Sequence, residues 1–224
     1  MTLSIIRKEI VNCRKCDRLV FFREKIAKEK RKSYIDWEYW GKGVPGFGKP
    51  NSKLLILGLA PAAHGANRTG RVFTGDKSAD FLFKCLYHVG LSNQPNSDHL
   101  NDGLVLSGYM TPILKCVPPG DKPTAEEILN CSEFLKKELK FLPNLKIIVG
   151  LGKIAFDTYL KHVKSIHPIK MKDYKFIHSV GYNLPNGIKL YGCYHPSPRN
   201  VNTKRINEKG MVDLLMKIHD LHRK

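Results

Sequence analysis

Short apolar runs alternate with amphipathic segments along the chain. Four runs are too short for surface helices and predict strands buried in a sheet, at residues 53–59, 104–111, 145–152 and 189–195. Apolar residues at helical spacing predict six helices, at residues 3–12, 17–32, 78–89, 123–142, 153–162 and 204–222. This alternation predicts an α/β fold, a single three-layer α/β/α domain over residues 1–224 with a central, mainly parallel four-stranded sheet.

The first 52 residues are predicted to be a basic N-terminal segment of this domain. Residues 17–32 are strongly basic, and residues 37–52 are aromatic and then rich in Gly and Pro, which predicts a surface loop. In a parallel sheet, sites lie at the carboxyl ends of the strands. The loops that follow the strands at 53–59 and 189–195 are therefore expected to meet at one edge.

The charge of the chain is unbalanced. It has 38 Lys and Arg against 20 Asp and Glu, a net charge of +18. A heat-adapted surface would carry matching Glu, so the excess favours a polyanionic partner, most simply nucleic acid. No apolar run approaches the ~18 residues of a membrane span, and the N-terminus has no signal-peptide core. We therefore expect a soluble cytoplasmic protein with no membrane partner.

Six cysteines include one CxxC pair, which is a metal or redox signature. With two more cysteines this pair makes a possible site of four thiolates: Cys13, Cys16, Cys116 and Cys131. Such a set suits zinc or an iron–sulfur cluster, and the 14 residues between Cys116 and Cys131 favour a cluster over a zinc ribbon. Cys116 and Cys131 as small buried apolar residues are the alternative, which is the interpretation we adopt for Cys85 and Cys193.

Three features coincide in this chain: GLAPAAHG at 58–65, the four-cysteine pattern and HPSPRN at 195–200. Together they resemble the uracil-DNA glycosylase superfamily, and most closely its family 5 enzymes of thermophilic archaea and bacteria. The resemblance spans residues 13–200 and implies a 4Fe-4S cluster on the four cysteines. Family 4 has Glu in place of Leu59 and an Asn before its third cysteine, where this chain reads YMTPILKC. Both departures favour family 5 and a broader range of deaminated bases.

The resemblance also implies the parts of an active site. Phe73 would stack on a flipped base, and His195 would donate a hydrogen bond to the departing base. Since position 59 is Leu, Asp76 becomes the best carboxylate for the water or the sugar cation, with Asp121 second. A core Phe, a structural His and a helix-capping Asp76 are the alternatives. Backbone of the first motif would cradle the base, from Gly58 and Leu59 through Ala60, Pro61 and Ala62 to Ala63.

The second motif is predicted to contact DNA. Its contact residues would be Ser197, Arg199 and Asn200. Relatives often have a Leu at the position of Arg199 that acts as a wedge in the DNA, and the guanidinium plane of Arg199 could stack in its place. In the first loop, Arg68 and Arg71 would hold phosphate or support the pocket. The implied partner is double-stranded DNA that contains deaminated bases, with single-stranded DNA left open, and the chain is expected to act as a monomer.

The implied activity is that of a monofunctional N-glycosylase, a hydrolase. It would cleave the N-glycosidic bond of uracil and of other deaminated bases in DNA repair, leaving an abasic site. Two alternatives remain at this point. One is a strictly uracil-specific enzyme of the family 4 kind, and the other is a non-enzymatic, zinc-containing nucleic-acid-binding protein.

Overall fold

The structure, a computed structural model, describes residues 2–223, so the ends of the predicted domain, Met1 and Lys224, lie outside it. A sheet runs through these residues in the order β1-β3-β2-β4-β6-β5. Its strands are β1 (Phe47–Gly48), β2 (Leu54–Gly58), β3 (Tyr109–Pro112), β4 (Ile147–Leu151), β5 (Gly181–Asn183) and β6 (Lys189–Cys193). Strands β3, β2, β4 and β6 are parallel, and β1 and β5 pair antiparallel at the two edges.

The predicted α/β fold with a mainly parallel sheet is confirmed, but the predicted number of four strands is wrong. The four predicted strands form the parallel centre, and β1 and β5 extend it to six within the described residues. These edge strands have two and three residues that are at most partly buried. Such short edges leave no apolar run for a sequence pattern to detect.

Eight helices lie within the described residues. They are α1 (Leu3–Val11), α2 (Asp17–Glu29), α3 (Ala66–Thr69), α4 (Lys77–His88), α5 (Ala125–Lys140), α6 (Lys153–Lys164), α7 (Pro198–Asn202) and α8 (Glu208–Arg223). None of the helices in residues 2–223 has both the length and the apolar character that a membrane crossing needs.

Alternate side chains of each central strand face two separate cores. Leu54 and Ile56 of β2 lie in a core with α4 and α8, whereas Leu55 and Leu57 lie in a core with α5 and α6. This alternation follows from the period of two along a strand. The sheet therefore has helices on both faces, which is the three-layer arrangement that the sequence predicts.

The segment at 37–52 is not the surface loop that its composition predicts. Val44 is buried, and its N–H donates to Lys115 O at 2.7 Å. A Cβ added at Gly43 would collide with the carbonyl of Ile10, so only glycine permits this close approach. The Gly-rich composition thus allows the segment to pack tightly between α1 and the end of β3.

Candidate active site

The predicted meeting of the two loops is present. A pocket of about 340 Å³ opens at the carboxyl ends of the parallel strands, between the loop after β2 and the loop after β6. It is lined by Leu59, Ala60, Ala62, Phe73, Asp76, Ser78, Asp121, His195, Ser197 and Pro198. The structure therefore brings the three predicted catalytic side chains and the predicted stacking ring into one cavity.

Phe73 forms one wall of this pocket. Its backbone has φ of +49°, a left-handed conformation that is a genuine outlier for a bulky residue. Its ring packs on Gly58, where an added Cβ would lie 2.7 Å from Cε2. The ring centroid lies 6.0 Å from that of His195. Phe73 also belongs to the hydrophobic core, so it is both a core residue and a pocket residue.

Asp76 caps helix α4 and lines the pocket with the same carboxylate. Oδ1 accepts hydrogen bonds from the N–H groups of Ser78 and Ala79 at 2.9 and 3.0 Å. Oδ2 lies against Gly65, where an added Cβ would collide with it. Burial raises the pKa of Asp76, although the two backbone donors oppose the increase. Capping occupies one carboxylate oxygen and leaves the other for the pocket.

His195 lines the same pocket as Asp76. Burial lowers the pKa of His195, while the charge of Asp121 acts to raise it. The imidazole is therefore neutral near pH 7 and keeps one N–H as a donor. Asp121 has φ of +57° and lines the same pocket. Backbone strain at both Asp121 and Phe73 coincides with the pocket, which is where such strain is commonly found.

The backbone of the first motif is fixed by hydrogen bonds to the end of β3. Ile113 N–H donates to Gly58 O, and Leu114 N–H donates to Leu59 O, each at 2.9 Å. Ala60 and Ala62 line the pocket, whereas Pro61 is buried and Ala63 lines a neighbouring cavity. Of the predicted cradle, Leu59, Ala60 and Ala62 reach the pocket, and Gly58 supports it from beneath Phe73.

The structure assigns Arg71 a structural role in place of the predicted DNA contact. Arg71 is only 5% exposed, and its Nη2 pairs with Asp102 Oδ2 at 2.6 Å. Further donors of Arg71 bond to Thr74, Ser97 and the carbonyl of Leu100. These contacts leave no free donor for a phosphate and fix the turn that carries Phe73.

Arg68 is also buried, with an exposure of 3%. Its Nε donates to His64 O at 2.7 Å and its Nη2 to Gly75 O at 2.8 Å. Arg68 therefore holds the two ends of the loop together, which sets Gly65 against Asp76. This is the pocket-supporting alternative of the sequence interpretation, because burial keeps Arg68 away from an external phosphate.

The second motif is held by its own polar side chains. Ser197 caps α7 by accepting from Asn200 N–H, and the Asn200 side chain donates to His195 O at 2.8 Å. Asn200 thus positions the His195 backbone. Arg199 is exposed, and its side chain has no ion pair or hydrogen bond within residues 2–223. Arg199 is consequently the predicted DNA contact that the fold leaves accessible.

The four predicted ligand cysteines come from three segments: the connection between α1 and α2, the chain after β3, and α5. Cys116 and Cys131 are buried in one apolar cluster with Cys16 packed against it, and Cys13 packs on the adjoining cluster of α1. Burial raises the pKa of Cys131 to about 12, and the neighbouring thiols of Cys116 and Cys16 add to the increase. Within the described residues, no three metal-ligating side chains are arranged to hold a metal ion.

A buried arginine faces these thiols. Arg23 is 2% exposed, and it donates from Nη1 to Cys116 Sγ and from Nη2 to Cys13 O, both at 3.0 Å. No carboxylate in the described part of the chain pairs with it, and its Nε lacks a partner there. A buried charge needs compensation, so anionic sulfur is the partner that this environment offers. The donor set therefore fits a thiolate-bound group.

Some pocket residues were missed by the sequence interpretation. Ser78 and Pro198 line the pocket, and their signal was their position directly after Asp76 and within the second motif. Tyr34 and Trp37 line the neighbouring cavity although they lie far from both motifs in sequence. The aromatic stretch SYIDWEYW was the only sign of that second wall.

The fold and pocket define an α/β protein with a site for a flat ring at the carboxyl ends of parallel strands. The family model of the uracil DNA glycosylase superfamily matches residues 45–218. The chain belongs to that superfamily.

Curated relatives agree with this assignment. The Type-5 uracil-DNA glycosylase of Pyrobaculum aerophilum is 43% identical over 207 residues, which cover 92% of this chain and 87% of the relative. That of Thermus thermophilus is 42% identical, covering 91% of each chain. The Type-4 uracil-DNA glycosylase of Archaeoglobus fulgidus is 28% identical over 88% of this chain and 82% of its own. The predicted resemblance to the superfamily and to its family 5 is confirmed.

Proposed function

We propose that this protein is a monofunctional DNA glycosylase that hydrolyses the bond between uracil and deoxyribose in DNA. The carrying observation is the pocket that joins Phe73, Asp76 and His195 at the ends of β2 and β6, in a chain whose Type-5 relatives bear the name of that activity. The product is an abasic site, and the protein forms no covalent bond to the DNA. A simple nucleic-acid-binding protein would have no use for this arrangement.

Phe73 receives the flipped base. A base must leave the duplex stack before its glycosidic bond can be reached. The rigid ring of Phe73, fixed between Gly58 and the Arg71 turn, offers a flat surface that replaces the lost stacking. The strain at its φ of +49° is retained because the surrounding contacts hold the ring in place.

His195 stabilises the leaving base. As the glycosidic bond breaks, negative charge develops on the base and positive charge on the sugar. A neutral imidazole can donate its N–H to the negative charge on the base, and it adds no positive charge next to the sugar cation. The Asn200 bond to the His195 carbonyl preorganises the donor, and preorganised donors are the largest single contribution in many such sites.

Asp76 acts on the sugar side of the pocket. Its Oδ1 remains bound to the start of α4, while Oδ2 orients the attacking water and stabilises the sugar cation. The two helix N–H groups hold the carboxylate in one orientation. Asp121 is the second candidate, because it lines the pocket and its charge reaches His195.

The substrate range extends beyond uracil to other deaminated bases. The pocket lining, as far as the structure describes it, contains no Asn or Gln side chain that could read a base edge as both donor and acceptor. Its volume of about 340 Å³ lies at the lower end of ligand pockets and exceeds the bulk of one pyrimidine. A purine-derived base such as hypoxanthine is therefore a further substrate.

Double-stranded DNA is the proposed partner, bound by a cytoplasmic monomer. Exposed Arg199 lies at the start of α7 beside the pocket, where its guanidinium plane can fill the gap that the flipped base leaves. Ser197 and Asn200 hold that loop in shape. The net charge of +18 supplies the long-range attraction to phosphate.

We also propose that the four cysteines hold a 4Fe-4S cluster. The residues that would hold it are Cys13, Cys16, Cys116 and Cys131. Buried Arg23, which donates to Cys116 Sγ at 3.0 Å, supports an anionic thiolate-bound group at this position. When bound, the cluster supplies structural cross-linking of α1, α2, β3 and α5.

Iron and zinc analysis of protein produced with adequate iron tests the cluster. We expect about four irons per chain and visible absorbance, and Cys131→Ser should lose both. Cys193→Ser is the matched control, because Cys193 is buried in the opposite core and should leave the iron content unchanged. A result of one zinc and no iron per chain would show that the four cysteines form a zinc site and would contradict the cluster.

Excision from a panel of single-lesion duplexes tests the function. Duplexes carrying one uracil, hypoxanthine or xanthine are incubated with the protein, and abasic sites are revealed by alkaline cleavage. We expect excision of uracil and of at least one deaminated purine, and none from an undamaged duplex. Excision of uracil alone would restrict the substrate range to uracil, and a lack of any excision would leave only the binding protein.

A further inference from the structure

A second cavity of about 750 Å³ lies beside the catalytic pocket. The two share Ala62, Asp76 and Asp121 in their walls, so they adjoin along the loop after β2. The proposed excision mechanism uses only the smaller one. The larger cavity has space for more than one nucleotide unit, and its position next to the flipped base makes DNA the natural occupant.

One wall of this cavity is an aromatic platform, formed by Tyr34 and Trp37. Their ring centroids lie 6.3 Å apart with the planes at 80°. The Arg68 guanidinium supports both rings, with Cζ 3.9 Å from the centroid of Tyr34 and 4.0 Å from that of Trp37. Trp37 remains 36% exposed. A large aromatic residue that stays exposed while a buried cation holds it in place is suited to stack with a ligand.

The platform is fixed to the catalytic loop. Tyr39 Oη bonds to His64 Nδ1 at 3.0 Å and accepts from the N–H of Arg31 at 3.3 Å. Arg68 bonds to the carbonyls at both ends of the same loop. The platform and Asp76 are therefore held in one rigid arrangement, so a nucleotide on the platform stays in register with the pocket.

The cavity carries charges of both signs, and one of its cations is available to a phosphate. That cation is Arg31, which lines the cavity and has no ion-pair partner among the described residues. Four carboxylates line the cavity: Asp80 pairs with Lys77 at 3.0 Å and Asp76 caps α4, whereas Asp98 and Asp121 pair with no cation among the described residues. Lys28, Lys30 and Lys32 lie beside Arg31 in the sequence. Positive charge beside an aromatic platform is typical of single-strand binding sites.

We propose that this cavity binds the nucleotide next to the flipped one, unstacked from its neighbours, on the Tyr34 and Trp37 platform. The inference rests on the proposed glycosylase function for the identity of the flipped nucleotide. It gives the protein a short single-strand binding site that continues its catalytic pocket. Uracil in single-stranded or frayed DNA would then be bound with less cost than uracil in an unbroken duplex, where the neighbour must also be unstacked.

Binding of a lesion-free, single-stranded 15-mer tests the proposal without any need for excision. Trp37→Leu and Tyr34→Leu should each weaken this binding by roughly 5- to 100-fold, as loss of one base–aromatic stack does. Trp37→Phe should restore most of it, because Phe keeps a stacking face. Tyr87→Leu is the matched control: Tyr87 is 50% exposed near the far end of α4, and its removal should change nothing.

Trp fluorescence of the unaltered protein gives a second readout that no folding defect affects. The chain has two tryptophans, and Trp40 is engaged through a bond from Nε1 to Gly43 O. Saturation with the 15-mer should quench the Trp37 emission, and Trp40→Phe should keep the quenching. Absence of quenching in the unaltered protein, or unchanged 15-mer binding by Trp37→Leu, would overturn the proposal.

Two further outcomes separate this site from its rivals. If Trp37→Leu weakens an unbroken, lesion-free duplex as much as the single strand, the cavity holds duplex backbone and the single-strand site is wrong. If excision is absent in all substrates but the 15-mer results hold, the single-strand site stands while the proposed glycosylase function fails. Single-turnover excision of uracil in the 15-mer should show a higher half-saturating concentration for Trp37→Leu, with its maximal rate little changed.

Discussion

The loops after β2 and β6 both end at the pocket, yet they place their arginines in opposite ways. Arg68 and Arg71 of the first loop are buried against carbonyls and Asp102, whereas Arg199 of the second loop is exposed. The first loop uses charge internally, to hold Phe73 and Asp76 at fixed positions. The second uses short polar side chains for that purpose and leaves its cation for DNA.

Arginines therefore have two roles here, internal support and DNA binding, and the net charge of +18 does not distinguish them. An arginine whose donors are all satisfied inside the protein adds to rigidity and little to phosphate binding, because its charge is already compensated. Catalysis should therefore be most sensitive to the first loop and to His195. Affinity for DNA should depend on exposed cations such as Arg199.

The largest effect is expected for Asp76→Asn. Asn still caps a helix about as well as Asp, so the melting temperature should change little. Loss of the carboxylate should slow excision by roughly 100- to 10,000-fold, the range for a positioned acid–base group. Single-turnover excision of uracil from a duplex is the measurement, and Asp213→Asn, which alters an exposed carboxylate on α8, is the control. Excision at the normal rate would reduce Asp76 to a cap and make Asp121 the residue to test.

The pH dependence of excision sharpens that result. Asp76 acts as a carboxylate, and burial raises its pKa above the ordinary 3.8. The rate should therefore fall as the pH decreases, and it should begin to fall at a higher pH than an ordinary Asp would give. The residual rate of Asp76→Asn should lack this acid limb. An acid limb that persists in the variant would assign it to another group.

His195→Ala should slow excision by roughly 100- to 1,000-fold, as removal of a preorganised donor to a developing anion does. Binding of the uracil duplex should persist, since His195 supplies no phosphate contact. His88→Ala, at an exposed position near the end of α4, is the control for loss of an imidazole. Equal losses of rate and of duplex affinity would indicate that His195 supports the loop structure in place of the chemistry.

Asp102→Asn tests the internal use of charge in the first loop. Breaking a buried pair leaves Arg71 uncompensated and should lower the free energy of unfolding by about 3–5 kcal/mol. Burial acts to raise the pKa of Asp102, but Arg71 and backbone donors lower it to about 2. The stabilisation should thus be present above about pH 4 and lost as the pH falls towards 2.

Urea unfolding of Asp102→Asn and of the unaltered chain at pH 7 and pH 3 measures both parts of this prediction. Glu133→Gln is the matched control, because Glu133 forms an exposed pair with Lys136 and such pairs contribute only ~0–1 kcal/mol. A loss for Asp102→Asn as small as that of the control would remove the argument that Arg71 is structural.

The smallest effect is expected for Arg199→Ala. One exposed phosphate contact should contribute a few-fold in affinity and about one unit in the slope of log K against log salt. Arg199→Lys should keep the salt slope, and it should lose any part of the affinity that comes from the planar guanidinium. Titration of a lesion-free duplex at several salt concentrations is the measurement. An unchanged slope for Arg199→Ala would exclude Arg199 from the DNA interface.

The sequence by itself determined the parallel centre of the sheet, because buried strands such as Leu54–Gly58 read as continuous apolar runs. It also determined that Asp76 and His195 follow strand ends, and parallel strands bring such residues to one edge. The edge strands β1 and β5 escaped prediction, because two or three half-buried residues carry no periodic signal. The same holds for the packing of residues 37–52, where composition alone indicated a surface loop.

Only the tertiary structure decided which charged side chains face inward. Arg23, Arg68 and Arg71 look like surface cations in the sequence, and each is buried. Their partners are thiols, carbonyls and a carboxylate that lie up to 93 residues away along the chain. The spacing of apolar residues along the sequence predicts which segments form helices and strands. Long-range contacts decide the environment of each charge, and that environment determines whether an arginine binds DNA or holds a pocket together.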